Sequence, residues 1–213
     1  MTRTLTPPIT CLITTGEARA ENYPTAKNRI LETVSSAVEQ GISLIQIREK
    51  QLPGRLLFDL ASEVSAAMSG FGSKVLINER ADVATVAGAD GVHLPSNSIP
   101  ISVLRNKLPD RFLIGASAHS LEEALAARVD GADFVVYGPV FATPEKGKPK
   151  GIEDLKDVCD AVGPLPILAL GGIDETNFES VLSAGATGFA AIRALNDRES
   201  RERILSALKT RSR

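Results

Sequence analysis

The sequence predicts a single (β/α)8, or TIM, barrel that spans residues 1–213. A glycine that closes a helical pattern and leads into a short apolar run recurs at nearly even intervals, at Gly41, Gly88, Gly131 and Gly185. Glycine suits such a junction because it ends a helix in the left-handed conformation without Cβ strain. Each interval has room for one more strand and helix, so four junctions imply eight pairs. An open doubly wound sheet is the alternative, but it does not require this regularity.

The predicted strands are short apolar runs that end in polar residues. In chain order they cover residues 9–15, 43–49, 74–79, 91–94, 112–119, 134–140, 166–173 and 188–195. The segments between them carry apolar residues at i, i+3 and i+4, the spacing of a helix with one buried face. These predicted helices cover residues 25–40, 54–68, 80–88, 99–109, 120–129, 151–162, 177–184 and 200–210.

Composition favours a small ligand in a cytoplasmic protein. The 24 basic and 26 acidic residues give a net charge of −2 and form no long run of one sign, which argues against nucleic acid or an anionic membrane as a partner. No apolar stretch approaches the roughly 20 residues that span a bilayer, and the start lacks the pattern of a secretory signal. Cys11 and Cys159 have no CxxC partner, so we expect both to fill core positions. A monomer and a homodimer through helix faces both agree with the sequence.

The second strand, in "SLIQIREK", places polar side chains where a barrel has its active site. Catalytic groups of such barrels lie at the carboxyl ends of the strands, and side chains alternate between the lumen and the helices. Gln46, Arg48 and Lys50 therefore share one direction and point at the mouth. Burying such a cation without a partner costs several kcal/mol, which predicts an anionic ligand. A rim of salt bridges that uses Glu49 or neighbouring acidic residues is the alternative.

Other strand ends add polar residues to the same mouth. After the third, fifth and sixth strands come Asn78, Glu79, Ser117, His119, Thr143 and Lys146. Gly171 and Gly172 follow the seventh strand, where bare main-chain N–H groups of such barrels hold a phosphate, although a glycine pair also suits a simple turn. Residues 142–151, "ATPEKGKPKG", are typical of a mobile lid.

Two histidines are the only imidazoles available for acid–base chemistry. His119 follows the small-residue strand "GASAH", so there is space in front of it, and an imidazole exchanges protons near neutral pH. His93 lies between apolar neighbours in "GVHLP", which favours a structural hydrogen-bonding role. The chain shows no ligand spacing for zinc.

In this order the strand ends resemble the thiamine phosphate synthase and TenI family. The resemblance rests on "QIREK", "LIN" at 76–78, "GASAHSLEEA", "YGPVFATPEKGKPKG" and "LALGGI", and it covers nearly the whole chain. In the synthase, an aminopyrimidine methyl diphosphate loses pyrophosphate and a thiazole phosphate nitrogen captures the cation. The resemblance implies that three groups of residues bind these substrates: Gln46, Arg48 and Asn78 for the pyrimidine diphosphate, Lys50, Ser117 and Lys146 for its pyrophosphate, and Thr143, Gly171 and Gly172 for the thiazole.

The departures from this family pattern concern metal and phosphate binding. The synthase pattern has two Asp residues for Mg²⁺, after the third and fourth strands, where this chain has Glu79 and Ser98. A serine hydroxyl is a poor ligand for a hard dication, so Mg²⁺ is expected only in the synthase reading, with Glu79 as its ligand. Arg193 replaces a small Ser on the eighth strand, where it either reinforces phosphate binding or fills the phosphate site.

Three functions follow from the resemblance. "HLPS" after the fourth strand is similar to TenI-type proteins, so the leading hypothesis is a metal-free thiazole tautomerase in which His119 moves one proton of a thiazole carboxylate phosphate. The second is a thiamine phosphate synthase, because Gln46, Arg48, Lys50 and Lys146 are what a diphosphate requires. The third is a non-catalytic phosphate-binding or regulatory protein.

Overall fold

The structure, a computed structural model, describes residues 5–143 and 147–211. These residues form eight parallel strands, each paired with the next in the chain, and β8 pairs with β1 to close a barrel. The strands are β1 Ile9–Ile13, β2 Leu44–Ile47, β3 Lys74–Asn78, β4 Gly91–Leu94, β5 Leu113–Ala118, β6 Phe134–Tyr137, β7 Ile167–Leu170 and β8 Gly188–Ala191. The predicted barrel is thereby confirmed.

Helices follow the strands and cover the outside of the barrel. They are α1 Tyr23–Gln40, α2 Gly54–Ala67, α3 Ala81–Val86, α4 Ile101–Arg105, α5 Leu121–Val129, α6 Ile152–Val162, α7 Phe178–Ser183, α8 Arg193–Asn196 and α9 Arg198–Arg211, with a short 3₁₀ helix at Ala20–Asn22. Two helices follow β8, so the described residues hold one more helix than the sequence predicts. No helix of the described part is long and apolar enough to cross a membrane.

The four predicted glycine junctions explain the fourfold regularity of the barrel. Each of the four glycines has a positive φ, as Gly41 does at the end of α1. Two residues after each one, a polar side chain accepts a hydrogen bond from a main-chain N–H at the start of the preceding strand. The four pairs are Ser43 with Thr10, Asp90 with Val75, Asp133 with Ile114, and Thr187 with Ile167, at 2.7–3.3 Å. The repeat therefore joins neighbouring strands at the end of the barrel opposite the mouth.

Apolar side chains fill the lumen below the mouth, as the core of this fold requires. Ten buried residues form this inner cluster, Cys11 among them, whereas the larger cluster lies between strands and helices. Phe134 occupies the space that Gly115 leaves: a Cβ at Gly115 would lie 2.2 Å from the ring. The same ring meets His93 edge to face, with centroids 6.1 Å apart. The lumen is thus closed by Phe134 directly beneath the first polar layer.

Candidate active site

A chain of hydrogen bonds crosses the lumen at the level of the strand ends. Gln46 Nε2 lies 2.7 Å from His93 Nδ1, and His93 Nε2 lies 3.0 Å from Ser117 Oγ. These residues come from β2, β4 and β5. In the strand register, His93 on β4 pairs with Asn78 on β3 on one side and with Gly115 on β5 on the other. Gln46 and His93 are buried, and Ser117 is partly exposed at the mouth.

The His93 imidazole is neutral at physiological pH. Burial, followed by the positive charge of Arg48, lowers the pKa of His93 from 6.5 to about 4. Arg48 therefore lies close enough to this layer to act on it, and its main-chain N–H donates to Thr14 Oγ1 at 2.8 Å. A cation above a neutral polar layer suits an anionic group that enters from the mouth.

Glu49 anchors the loop after β1 to the loop after β2. Its side chain is 2 % exposed, and its two carboxylate oxygens accept the main-chain N–H groups of Gly16 at 3.0 Å and Ala18 at 2.8 Å. Gly16 is tightly placed, since a Cβ there would meet Arg48 Nη1 at 3.4 Å and its carbonyl at 3.3 Å. Glu49 therefore binds main-chain N–H groups and forms no salt bridge with a described residue.

Lys50 lies beyond the end of β2, contrary to the expectation that the alternating row continues. β2 ends at Ile47, so the alternation stops there. Lys50 is exposed and lines a cavity of about 250 Å³ at the rim, together with Ile47, Glu49, Leu52, Leu57, Asn78, Glu79 and Arg80. The apolar lining residues belong to the outer core around α2, which places this cavity beside the lumen. Cations thus flank the mouth in two places, at Arg48 and at Lys50.

Glu79 is held in a strained main-chain conformation. Its φ is 65°, the only positive value among the described residues other than glycine, and its N–H donates to the carbonyl of His93 at 2.8 Å. A left-handed conformation costs about 1 kcal/mol or more in a residue with a side chain, and such strain clusters at functional sites. No described residue donates a hydrogen bond to the Glu79 carboxylate. Neighbouring Arg80 is paired with Asp82 through two bonds of 2.8 and 2.6 Å.

These side chains do not fit a magnesium site supplied by the protein. The described residues contain no group of three or more His, Cys, Asp or Glu side chains that could hold a metal. Of the two carboxylates at the rim cavity, Glu49 has both oxygens engaged, which leaves Glu79. The turn after β4 offers Ser96, Asn97 and Ser98, all neutral. Mg²⁺ favours charged oxygen ligands in octahedral geometry, and one carboxylate does not supply them.

His119 stands at the mouth with one ring nitrogen engaged. It is exposed, and its Nδ1 lies 2.6 Å from the carbonyl oxygen of Gly138. A carbonyl oxygen only accepts, so Nδ1 carries a proton, and in the neutral form of the ring Nε2 has a lone pair. The main-chain N–H of His119 donates to Glu123 Oε2 at 2.6 Å, which holds the residue against the start of α5. This geometry leaves one ring nitrogen able to take up a proton.

Gly171 and Gly172 pack against the loop after β6. Their φ values are 103° and 65°, and a Cβ would lie 2.6 Å from Pro139 at the first and 2.8 Å from the Ala142 carbonyl oxygen at the second. The loop is joined to this strand end by a hydrogen bond from Phe141 N to the Gly171 carbonyl at 3.0 Å. Both positions therefore require glycine, because the main chain of the loop after β6 comes too close for a Cβ. This agrees with a simple turn and with a phosphate site alike.

The remaining predicted residues lie around these glycines. The Thr143 hydroxyl is buried and has no hydrogen-bond partner among the described residues. Lys146 and part of the predicted lid lie outside the described residues. Arg193 is the first residue of α8 and not part of the eighth strand, which ends at Ala191; its side chain is exposed and forms no ion pair with a described residue. Both alternatives for Arg193, reinforcing phosphate binding and filling the phosphate site, stay predictions.

Two features of the site were not predicted from the sequence: the main-chain hydrogen bonds of Glu49 and the hydrogen-bonded line through His93. The sequence suggests Glu49 as a salt-bridge residue of the rim, but nothing local in the chain points to its partners Gly16 and Ala18, which belong to another loop. The link from His93 to Gln46 and Ser117 also spans separate strands, although the buried neighbours of His93 did indicate a hydrogen-bonded role.

Comparisons with known proteins agree with this fold and show the family. Residues 11–195 match the model of the TMP-TENI family, described as thiamine monophosphate synthase. A putative thiamine-phosphate synthase of Geobacter sulfurreducens is 43% identical over 183 residues, 84% of this chain and 85% of its own. A thiamine-phosphate synthase of Methanoculleus marisnigri is 43% identical over 162 residues, 75% of this chain and 76% of its own. The solved structure of a thiamine phosphate pyrophosphorylase from Pyrococcus furiosus superposes with a TM-score of 0.81 at 31% identity, covering 95% of this chain and 96% of that one.

Proposed function

This chain belongs to the thiamine monophosphate synthase family, and on that premise we propose that it is a thiamine-phosphate synthase. It would join an aminopyrimidine methyl diphosphate to a thiazole phosphate and release pyrophosphate. The observation that carries the proposal is the polar layer of Gln46, His93 and Ser117 beneath Arg48. A tautomerase needs an acid–base group and a phosphate site, whereas the synthase must also bind a diphosphate and a second heterocycle, and this layer offers polar groups for them.

In the proposed reaction, the bond between the pyrimidine methylene carbon and the diphosphate oxygen breaks, and the oxygen keeps the electron pair. The thiazole nitrogen then forms a bond to that carbon. Gln46 and Asn78 orient the pyrimidine, and Ser117 donates a hydrogen bond to the leaving diphosphate. Arg48 neutralises its growing charge, an effect that typically contributes a factor of ~10²–10³ per donor. Lys50 adds a positive charge from the neighbouring rim cavity. The phosphate of the thiazole, which stays in the product, is assigned to the Gly171 loop.

The order of the hypotheses is thereby reversed. The neutral turn at Ser96, Asn97 and Ser98 favoured the tautomerase at the level of sequence, but relatives at 36–43% identity carry the name of the synthase. The proposed steps use no metal ion held by the protein, because the described carboxylates do not form a metal site.

The test supplies both substrates and measures thiamine phosphate and pyrophosphate, with Mg²⁺ and with chelator. We expect both products in equal amounts from the wild type, and a loss of ~100-fold or more in kcat for Arg48→Met. The matched control is Arg80→Met, which removes a nearby cation that Asp82 already neutralises; it should stay within about threefold of wild type. No thiamine phosphate under any condition would reject the proposal.

A second candidate is the tautomerase, favoured by the free Nε2 of His119 at the mouth. That atom can take a proton from a non-aromatic thiazole carboxylate phosphate and return it elsewhere on the ring. The reaction is followed by ultraviolet absorbance. Turnover that survives chelator and is lost in His119→Gln, without any thiamine phosphate in the first assay, would establish this candidate in place of the synthase. Binding of both phosphates without turnover would point to the non-catalytic alternative.

A further inference from the structure

The two histidines of this chain are held in opposite tautomers. Gln46 Nε2 is an amide nitrogen, which donates and has no lone pair to accept, so His93 Nδ1 must be the acceptor of their 2.7 Å contact. A neutral His93 then carries its proton on Nε2 and donates it to Ser117 Oγ at 3.0 Å. His119 differs, because its Nδ1 faces the Gly138 carbonyl oxygen at 2.6 Å and must donate.

The direction of these bonds decides what Gln46 and Ser117 can offer a ligand. One N–H of the Gln46 amide donates to His93, and no described residue donates to its Oε1, so that oxygen is free to accept from a ligand. Ser117 Oγ accepts from His93, so its own O–H is left as a donor. If His93 were protonated at Nδ1 instead, Gln46 would have to turn its carbonyl oxygen toward His93, and Ser117 would have to donate its O–H to Nε2. Gln46 would then offer a ligand a donor, and Ser117 would offer it an acceptor.

We propose that His93 is a positioning residue whose Nε2-protonated form sets Gln46 as an acceptor and Ser117 as a donor toward the substrate. A ligand that fits must bring a donor to Gln46 and an acceptor to Ser117. An aminopyrimidine with a diphosphate does so, through its amino group and a phosphate oxygen; this identification rests on the proposed function. His93 is buried, and its ring meets Phe134 edge to face.

A purely structural role for His93 is the competing explanation. It would satisfy the polar atoms of a buried ring and leave the substrate untouched. The tautomer alone does not separate the two, because the same contacts with Gln46 and Ser117 would fix it in a structural role. The kinetics of variants that keep or lose the donor to Ser117 do separate them.

The first test is a long-range ¹H–¹⁵N spectrum of the ligand-free wild-type protein at pH 7. It distinguishes a protonated from an unprotonated ring nitrogen, and the chain has two histidines, so His119→Gln assigns both. We expect His93 protonated at Nε2 and His119 protonated at Nδ1. His93 protonated at Nδ1, or at both nitrogens, would overturn the inference. This measurement needs no turnover, so it decides the tautomer even if the proposed synthase activity fails.

The second test compares His93→Gln with His93→Asn. The longer glutamine places an amide N–H near the former Nε2 and keeps the donor to Ser117, whereas asparagine reaches only the former Nδ1. We expect kcat for thiamine phosphate formation to be at least about tenfold lower in His93→Asn than in His93→Gln, the worth of one hydrogen bond, with a smaller difference in KM. Equal kcat values in two variants that unfold at the same temperature would overturn the inference.

Discussion

Glu49 and Glu79 offer a matched pair of carboxylates on one cavity with opposite expected effects. Both line the rim cavity. Glu49 is buried and accepts two main-chain N–H groups, whereas Glu79 is exposed and no described residue donates to its carboxylate. We predict that Glu49→Gln destabilises the fold strongly and that Glu79→Gln does not, although each variant removes one negative charge and keeps the side-chain volume.

The magnitude follows from the two bonds of Glu49. Glutamine keeps one carbonyl oxygen and replaces the other oxygen with an NH2 group, which then faces a main-chain N–H of Gly16 or Ala18. One hydrogen bond to a charged acceptor, ~1.5–3 kcal/mol, is lost, and one buried N–H is left without a partner. The surviving bond becomes neutral and weaker. We expect a loss of about 2–4 kcal/mol in the free energy of unfolding, a large part of the ~5–15 kcal/mol typical of a domain.

Urea unfolding followed by circular dichroism measures both variants. Glu79→Gln should lie within about 0.5 kcal/mol of wild type, as exposed substitutions usually do. The m-value should stay unchanged in both, since the barrel still unfolds as a whole. A Glu49→Gln variant as stable as wild type, or equal losses in the two variants, would refute the view that Glu49 anchors the loop after β1.

Three further predictions concern charge and packing at the mouth. The pKa of His93 is near 4 in the folded protein and 6.5 in the unfolded chain, so the free energy of unfolding should fall by about 3 kcal/mol as the pH drops from 6.5 to 4. Urea unfolding at both pH values should show that His93→Gln loses less stability than the wild type by this amount. Arg48→Met should raise the pKa of His93 in an NMR titration, yet leave it below 6.5 because burial is the larger cause; a lower pKa would contradict the assigned charge effect. Gly171→Ala should lose about 2–3 kcal/mol of stability through its contact with Pro139, whereas Gly72→Ala, with open space around its Cβ, should change little; similar thermal midpoints in the two would contradict this packing.

Periodic and local features of the chain were enough to predict the architecture. Strand-sized apolar runs that alternate with helical patterns, and a glycine before every second strand, predict the barrel that the structure shows. The polar residues Asn78, Ser117 and His119 were placed at the mouth for the same reason, since the carboxyl ends of parallel strands share one face. Each of these inferences uses residues close in sequence.

The exact ends of strands could not be predicted in this way. β2 stops at Ile47 and β8 at Ala191, so Lys50 turns to the rim cavity and Arg193 begins a helix. Strand ends depend on where the neighbouring strand stops offering main-chain hydrogen bonds, and that is set by pairing across the sheet.

From sequence alone came the barrel, the face that bears the site and most of the residue types found there, because propensity, periodicity and turn chemistry act over a few neighbouring residues. Closure of the barrel decided the rest. It brought Gln46, His93 and Ser117, which are 47 and 24 positions apart, into one hydrogen-bonded line, and it buried Glu49 against the loop after β1. Such contacts depend on strand register and on the low polarity of the closed lumen, and both exist only once distant segments have packed together.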